Sequence, residues 1–334
     1  MSGRITIEPI ADLPSLEALT QDWWDLWARS PSATPFQSPA WLLPWWRHFS
    51  PGGLTSVAVR RGARLLGLGL FYIEERASGH RLLPLGMSLS DHLDVLLDPD
   101  ESALAGAAIV SALLELGWSS WELEELAPGA AAFGLPCPAG CIEHLAPQSA
   151  CPVLALDDAT RGVPRDVPPG RRRELGRAWR RAEARGPSHV TRADADPSAF
   201  LEQLFALHAA RWQSRGEAGV LDDDAVRSFQ RSALPQLAAA GLTRLYLVSI
   251  AGQIAGAYYG LSHRDRAYGY LSGFDPAFAH ESPGTLLVGH AITEAVREGA
   301  SELHFLRGRE SYKYLWGARD RWNQRRSFQR LRAA

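Results

Sequence analysis

Lysine is almost absent from this sequence. Lys313 is the single lysine, and the remaining basic residues are all arginine. One interpretation is a coding bias that left one lysine by chance. The other interpretation is chemical. A lysine ammonium is a compact charge whose pKa can shift, whereas an arginine guanidinium stays protonated and holds its N–H donors in one plane. The composition therefore raises the question of what Lys313 does that an arginine would not.

Cysteine is scarce as well. Its three copies, Cys137, Cys141 and Cys151, lie in a stretch rich in alanine, proline and glycine. A Cys-x3-Cys spacing alone is a weak zinc signal, since a structural zinc site needs four ligands and His144 would complete one only with Cys151. We expect reduced cysteines that pack, and no metal site.

Long apolar runs and a strong excess of one charge are also lacking. The longest apolar runs, 65–73 and 104–116, are too short to span a bilayer. The first residues lack the basic-then-apolar pattern of a secretory signal. A net charge of −2 gives no overall attraction to nucleic acid or membranes. We expect a cytoplasmic protein without membrane insertion.

What the sequence has in abundance is apolar residues, at 46% of its 334 positions. This length exceeds one average domain and suits two domains that each bury a core. We place the division between residues 160 and 161, which gives domains of 1–160 and 161–334.

The second domain shows a clear order of predicted elements. A short strand is followed by two helices, and then by three strands joined by tight turns at Ala251-Gly252 and Arg264-Asp265. After a loop come the helix at 285–299, a further strand, a short helix with Lys313 and a basic tail. The first domain repeats this plan in part, because Asp98-Pro99 and Gly117 flank a helix much as Asp275-Pro276 and Gly299 do.

The second copy carries extra residues in "AHESPG", at the start of the helix near Gly284. A helix N-terminus offers unpaired N–H groups and a positive dipole end, and glycine allows close approach to the backbone. Ser282, Gly284 and Thr285 therefore suit a phosphate group. The alternative is an ordinary cap, with Ser282 or Thr285 capping and Pro283 in the first turn.

With this order of elements, the second domain resembles a GNAT-type N-acyltransferase domain. Two such domains in tandem resemble the FemAB-like transferases. Several strings resemble the CelD-type acetyltransferase family associated with bacterial polysaccharide biosynthesis, namely "TPFQSPAWLLPWW", "SDHLDVLLDP", "RRRELGRAWRRAEARG", "LFALHAARW", "AYYGL", "YLSGFDP", "SPGTLL" and "FLRGRESYKYLWGA".

The resemblance implies an α/β (α+β) fold with two tandem GNAT-like domains, each a mixed, mainly antiparallel sheet flanked by helices. It also implies an enzyme that transfers an acyl group from acyl-CoA, first of all acetyl-CoA, to an amine or hydroxyl of a sugar or other small precursor. The acyl carrier would lie where two central strands diverge, along "YGYLSGF", with its pyrophosphate on Ser282, Gly284 and Thr285. The first domain would bind the acceptor and the second the donor.

Two alternatives to an acyl-CoA enzyme stay open. The usual pyrophosphate loop of GNAT enzymes reads Gln/Arg-x-x-Gly-x-Gly/Ala, whereas "HESPGTLL" has one glycine. The donor of a Fem-type transferase, an aminoacyl-tRNA, is therefore one alternative, and the arginines at 173, 177, 180 and 181 on one helix would suit such a polyanion. A non-catalytic, GNAT-like binding subunit is the other.

The candidate catalytic residues follow from what acyl transfer needs, which is a stabilised oxyanion and a protonated leaving thiolate. The resemblance places Lys313 and Tyr312 where such enzymes meet the leaving group. Asp275 would orient an acceptor amine, although Asp-Pro after a strand is also ordinary turn chemistry. The candidate acceptor-binding residues are Asp91, Asp94, Arg211 and Trp212.

Overall fold

The computed structural model describes residues 4–77, 79–156, 164, 167–213 and 219–331, without the side chains of residues 211–213. The chain forms two compact units. The first comprises Met1–Ser149 and Trp322–Ala334, and the second comprises Ala150–Arg321. The sequence-based division at residue 160 had assigned the whole C-terminal tail to the second domain.

The first unit mixes short strands with four helices in its described part. Its elements are β1 (Ile5–Ile10), α1 (Leu13–Ala18), α2 (Thr20–Arg29), α3 (Pro39–Phe49), β2 (Gly53–Leu54), β3 (Ser56–Arg61), β4 (Arg64–Gly69), β5 (Phe71–Arg76), β6 (Gly79–Pro84), β7 (Leu96–Leu97), α4 (Ser102–Leu114), β8 (Ser120–Leu126) and the start of β9 (Cys141–Ala155).

Two sheets organise this first unit. Strands β1, β3, β4 and β7 form one of them, with antiparallel neighbours. In the other, β8 pairs in parallel with β6, which continues antiparallel to β5 and β2. Trp23 on α2 and Trp41 on α3 are fully buried. Carboxylate Asp98 is buried too and pairs with Arg29 and Arg64, so it has a structural role.

The second unit follows the predicted order of elements. They are α5 (Pro169–Arg185), β10 (Ser188–Arg192), α6 (Pro197–Gln213), α7 (Asp224–Ala239), β11 (Thr243–Ile250), β12 (Gln253–His263), β13 (Arg266–Phe274), α8 (Pro283–Arg297), β14 (Glu302–His304), α9 (Ser311–Leu315) and the first residues of β15 (Arg319–Arg330). Short 3-10 helices at Val220–Asp222 and Pro276–Glu281 precede α7 and α8.

The sheet of the second unit runs in the order β10, β11, β12, β13, β14 and the end of β9. All neighbours are antiparallel except β13 and β14, which pair in parallel. The three-stranded meander β11–β13 was predicted, and its turns contain left-handed residues at Ala251, Gly252 and Arg264. Helix α8 buries Leu286, Leu287 and Ile292 in the core of this unit. None of the helices in the described ranges is long and apolar enough to cross a membrane.

The basic C-terminal tail is a strand rather than an irregular segment. Strand β15 pairs antiparallel with β8, with Ser327 opposite Glu122 and Phe328 opposite Trp121. The sequence hid this strand because its buried positions include Asn323 and Arg326, so no apolar alternation marks it. Inside the first unit, Arg326 donates to the carbonyls of Ala132 and Leu135, and Asn323 Nδ2 donates to the carbonyl of Asp91.

Candidate active site

The candidate active site of the second unit begins where β13 and β14 separate. Their parallel pairing covers three residue pairs and ends at Tyr268 and His304. Strand β13 continues to Phe274, and its register against β12 shifts around Tyr270, because Tyr259 faces Leu271 while Gly260 faces Gly269. Such a bulge bends a strand and increases its twist. The edge of β13 beyond Tyr268 therefore no longer pairs with β14.

The N–H group of Ser272 points to this edge of β13. The N–H of Asp275 donates to the carbonyl of Ala255 on β12 at 3.0 Å. Because the N–H direction alternates along an antiparallel strand, that of Ser272 points away from β12. A backbone donor is thus directed toward the region from which β14 has diverged.

Helix α6 packs tightly against the opposite face of this strand. A Cβ atom built on Gly273 would lie 2.8 Å from the backbone nitrogen of His208 and 3.0 Å from the carbonyl carbon of Leu207. Glycine is needed here because real Cβ atoms do not approach backbone atoms this closely. The contact fixes α6 against β13, and His208 is buried.

The first turn of α8 lies beside the same edge. Ser282 precedes the helix with a left-handed φ of 56°, and Pro283, which has no N–H, is the first helical residue. A Cβ atom built on Gly284 would meet no atom within 4 Å, so the backbone at this position is open. The N–H groups of Thr285 and Leu286 donate to the Ser282 carbonyl, so the Gly284 amide and the positive end of the helix dipole are what this turn offers to a ligand.

Arg171 brings a positive charge to this turn. Its Nη2 atom donates to Thr285 Oγ1 at 3.0 Å, and its guanidinium lies 4.4 Å from the centre of the Trp316 ring. Burial lowers the pKa of the Arg171 guanidinium, but a guanidinium keeps its proton at physiological pH. Within the described ranges no carboxylate pairs with Arg171, and its Nε atom is buried without a hydrogen-bond partner.

Sequence reasoning missed Arg171. The arginines grouped from the sequence were those at 173, 177, 180 and 181. Only the packing of α5 against α8 shows that Arg171 reaches Thr285. A second arginine also approaches the turn, because Arg181 Nη2 lies 3.3 Å from Ser282 Oγ and 2.8 Å from Glu174 Oε1. Arginines from both ends of α5 thus converge on the N-terminus of α8.

These elements enclose a cleft of about 530 Å³. This volume is within the usual range for a small-molecule site, although a long ligand would extend beyond it. The cleft is lined by Arg171, Ser272, Phe274, Ala279, Ser282, Pro283, Gly284, Thr285, Val288, Glu310, Ser311 and Tyr312. Four residues singled out from the sequence, Ser282, Gly284, Thr285 and Tyr312, are brought together here.

Lys313 follows Tyr312 in α9 but turns away from the cleft. Its side chain is 3% exposed, and its Nζ atom donates to the carbonyls of Leu306, Arg307 and Gly308 at 3.2, 2.7 and 3.1 Å. The Glu310 carboxylate, which does line the cleft, lies 2.9 Å from the same Nζ. The ammonium thus holds the 306–308 loop and Glu310 together, and its catalytic role stays a prediction.

Asp275 serves the start of the 3-10 helix Pro276–Glu281. Its carboxylate accepts a hydrogen bond from the N–H of Ala277 at 2.9 Å. This is the capping arrangement expected of an Asp-Pro turn. A role for Asp275 in orienting an acceptor stays a prediction.

The candidate acceptor residues Asp91 and Asp94 lie in the first unit, where Asp91 is buried and Asp94 is half-buried. Asp94 accepts hydrogen bonds from Ser32 Oγ at 2.7 Å and from the N–H groups of Ala131 and Ala132 at 2.8 Å. Burial raises the pKa of Asp94 to about 6 despite these donors. The backbone carbonyl of Asp91 accepts from Asn323 Nδ2 at 2.8 Å. Both lie in a polar network of this unit, whereas the side chains of Arg211 and Trp212 lie outside the described residues.

Comparison with known proteins identifies the domain type of the second unit. Residues 169–314 match the family model of the acetyltransferase (GNAT) domain. A GNAT-type domain therefore occupies most of the second unit, including α5 and the cleft. The comparison with curated proteins gave no significant match.

Solved structures share the fold over nearly the whole chain. FemX superposes with a TM-score of 0.68 at 10% identity, covering 92% of this chain and 95% of FemX. A protein of unknown function from Bacteroides thetaiotaomicron gives 0.60 at 12% identity, covering 98% and 100% of the two chains. L-PGS from Bacillus licheniformis gives 0.58 at 12%, covering 97% and 93%. The predicted fold class, a GNAT-like α/β fold with mixed, mainly antiparallel sheets flanked by helices, is confirmed.

Proposed function

We propose that this chain is an acyltransferase that uses an acyl-CoA, first of all acetyl-CoA, as donor and an amine or hydroxyl of a sugar or other small precursor as acceptor. One observation carries the proposal. The cleft joins the edge of β13 at Ser272, which offers an amide donor, to a helix N-terminus with an arginine that has no carboxylate partner among the described residues. This combination suits a ligand that has a pyrophosphate at one end and a chain of amides leading from it.

In this proposal the pyrophosphate binds at the first turn of α8. The open amide of Gly284 and the Arg171 guanidinium supply donors and positive charge. The pantetheine arm then lies along β13, where the N–H group of Ser272 meets one of its carbonyl oxygens. The thioester is thereby directed to the bulge near Tyr270.

The reaction itself is a single exchange at the thioester carbonyl carbon. The acceptor's lone pair forms a bond to this carbon, the carbon–sulfur bond breaks, the acceptor atom releases its proton to solvent, and the CoA sulfur takes a proton from an acid that solvent then reprotonates. Tyr312 is the residue we assign to donate that proton, because it lines the cleft and is 38% exposed. Lys313 acts through the loop and through Glu310 rather than by touching the donor.

The acceptor is proposed from the strings that resemble the CelD-type family. They favour a sugar-linked acceptor. The candidate acceptor-binding residues remain Asp91, Asp94, Arg211 and Trp212. A Fem-type transferase that uses aminoacyl-tRNA is the second candidate function, favoured by the single glycine of "HESPGTLL".

Calorimetric titration with acetyl-CoA tests the donor. We expect wild-type protein to bind with a Kd in the micromolar range, about −8 kcal/mol. Gly284→Glu should abolish binding, because it places a carboxylate where the pyrophosphate lies. Gly284→Gln is the matched control, since it adds nearly the same volume without charge, and it should retain more affinity than the glutamate variant.

The thermal midpoint of each variant should equal that of the wild type, because Gly284 has open space for a side chain. Absence of acetyl-CoA binding by the wild-type protein would overturn the proposal. Binding of aminoacyl-tRNA that weakens steeply with salt would then support the Fem-type function.

A further inference from the structure

A second, smaller cavity lies along α8, further from the start of the helix than the cleft. Its volume is about 70 Å³, and Ala291 and Ala295 of α8 line it together with residues of the sheet. The cleft is lined by earlier residues of the same helix, of which Val288 is the last. The two spaces therefore follow one another along α8, and both lie between this helix and the sheet.

Tyr258 on β12 lies between the two spaces. Its backbone is opposite Ser272 of β13, which lines the cleft, whereas Tyr258 itself lines the second cavity. The residue is 6% exposed and belongs to the core of the second unit. Burial raises the pKa of the Tyr258 hydroxyl, and Tyr246 and Tyr312 raise it further. Since Tyr246 lines the cavity and Tyr312 lines the cleft, Tyr258 has a neighbour in each space.

Two glycines make room for the Tyr258 ring. Gly260 and Gly269 are opposite each other on β12 and β13. A Cβ atom built on Gly260 would lie 2.7 Å from Tyr258 Cε1, and one built on Gly269 would lie 2.8 Å from the Tyr258 hydroxyl oxygen. Any larger residue at either position would therefore displace the ring. The ring also stacks on that of Tyr246, with the ring centres 6.1 Å apart, so contacts on more than one side fix its position.

We propose that Tyr258 restricts the acyl group of the donor to a short chain. This inference rests on the proposed function, in which the thioester lies at the bulge near Tyr270. A chain that continues from there along β13, away from the start of α8, meets the Tyr258 hydroxyl beside Gly269. An acetyl group adds only a methyl to the thioester carbonyl, whereas a longer chain needs the space that the ring occupies.

The second cavity would accept such a chain if the ring were removed. Its lining includes the apolar side chains of Ala267, Ala291 and Leu303, which suit an alkyl group. Shortening Tyr258 joins this cavity to the cleft and gives one continuous apolar space along α8. Tyr258 is thus a specificity-determining residue that selects the donor by the length of its acyl chain.

The test measures Kd by calorimetry for acetyl-CoA and for hexanoyl-CoA. We expect the wild-type protein to bind acetyl-CoA about tenfold more tightly, since a closed pocket discriminates on this scale against added methylene groups. Tyr258→Leu and Tyr258→Ala should bind hexanoyl-CoA at least as tightly as acetyl-CoA. Each methylene group that enters the joined space should increase the affinity about fourfold.

Tyr246→Leu is the matched control, because it makes the same change in the ring that stacks on Tyr258. Among the described residues, Tyr246 lines the second cavity and not the cleft, so its replacement enlarges the cavity without opening it to the donor. It should keep the preference for acetyl-CoA. The rise of the thermal midpoint with each donor is a second measure of the preference, and it serves for variants that the loss of a core ring destabilises.

Three results would overturn the inference. They are hexanoyl-CoA binding by the wild-type protein that equals or exceeds acetyl-CoA binding, an unchanged preference in both Tyr258 variants, and a gain of hexanoyl-CoA affinity in Tyr246→Leu as large as that in Tyr258→Leu. Failure of the wild-type protein to bind either donor is a different outcome, because it overturns the proposed function itself.

Discussion

The Nζ atom of Lys313 lies 2.7 Å from the carbonyl oxygen of Arg307, at the centre of a loop whose neighbouring carbonyls, from Leu306 and Gly308, turn to the same atom. Leu306 and Gly308 have φ angles of 59° and 105°. Left-handed backbone on both sides of Arg307 brings three successive carbonyls to one side. An ammonium suits this arrangement because its donors spread around a single point, whereas the donors of a guanidinium lie in one plane.

Replacing Lys313 should therefore act first on the free energy of unfolding and only through it on the reaction rate. We expect Lys313→Met to lower the free energy of unfolding by about 3 kcal/mol, because it leaves buried carbonyls without donors. Lys313→Arg should cost about 1–2 kcal/mol, since the larger planar group does not fit the same space. Urea denaturation measures both. Glu310→Gln is the control and should stay within about 1 kcal/mol, because Glu310 is 57% exposed. If Lys313→Arg is as stable as the wild type, the presence of a single lysine has no structural cause and is explained by coding bias.

Tyr312 should affect the rate without affecting donor binding. Tyr312→Phe removes the proposed proton donor but keeps the ring, which lies 6.2 Å from that of Phe305 in an edge-on arrangement. We expect kcat to fall about 100-fold or more, with an unchanged Kd for acetyl-CoA. Single-turnover kinetics with an accepted amine or hydroxyl would measure the rate. Full activity of Tyr312→Phe would show that Tyr312 does not donate the proton to the CoA sulfur.

Two glycines beside the cleft should respond in opposite ways to the same change. Gly273→Ala pushes a methyl group into the backbone of α6, and we expect a loss of about 1–3 kcal/mol together with lower activity. Gly284→Ala enters open space at the first turn of a helix, so stability should be unchanged or slightly higher. Thermal unfolding of the pair measures the difference. Equal midpoints would show that α6 can move away from β13 without cost.

The first unit should lose stability as pH rises through the titration of Asp94. In the folded protein its pKa is about 6, above the ordinary aspartate value of 3.8. Between these values the folded state holds a proton that the unfolded chain has released, so stability falls with rising pH and the change is complete above about pH 6. The penalty approaches about 2–3 kcal/mol. The stability difference between wild type and Asp94→Asn, measured at pH 4 and pH 7, should shift by this amount. A difference that does not vary with pH would contradict the burial of this carboxyl.

The sequence was sufficient for those parts of the fold that follow local rules. The meander β11–β13 is marked by alternating apolar residues and by turn residues at Ala251-Gly252, so its strands were predicted nearly to the residue. Strand β15 was not predicted, because its partner β8 lies about two hundred positions away and its buried side chains include Asn323 and Arg326. The pattern that pairs them exists only in the folded protein.

The residues of the candidate site likewise differ in whether the sequence alone could predict them. Ser282, Gly284 and Thr285 could be selected from the sequence, since a helix start is a local feature with known chemistry. Arg171 could not, because seven arginines on α5 look alike until α8 packs against one side of the helix. The surroundings of Lys313 were equally hidden, as three backbone carbonyls carry no sequence signal.

The membership of β15 in the first unit has a consequence for synthesis on the ribosome. A strand of the N-terminal unit is translated only after the second unit, since Trp322 and the residues after it belong to the first unit. Until then, β8 lacks its partner strand β15. An unpaired strand edge exposed during translation is a site for aggregation or chaperone binding. The N-terminal unit can therefore be completed only after the second unit has been translated, although most of it is made first.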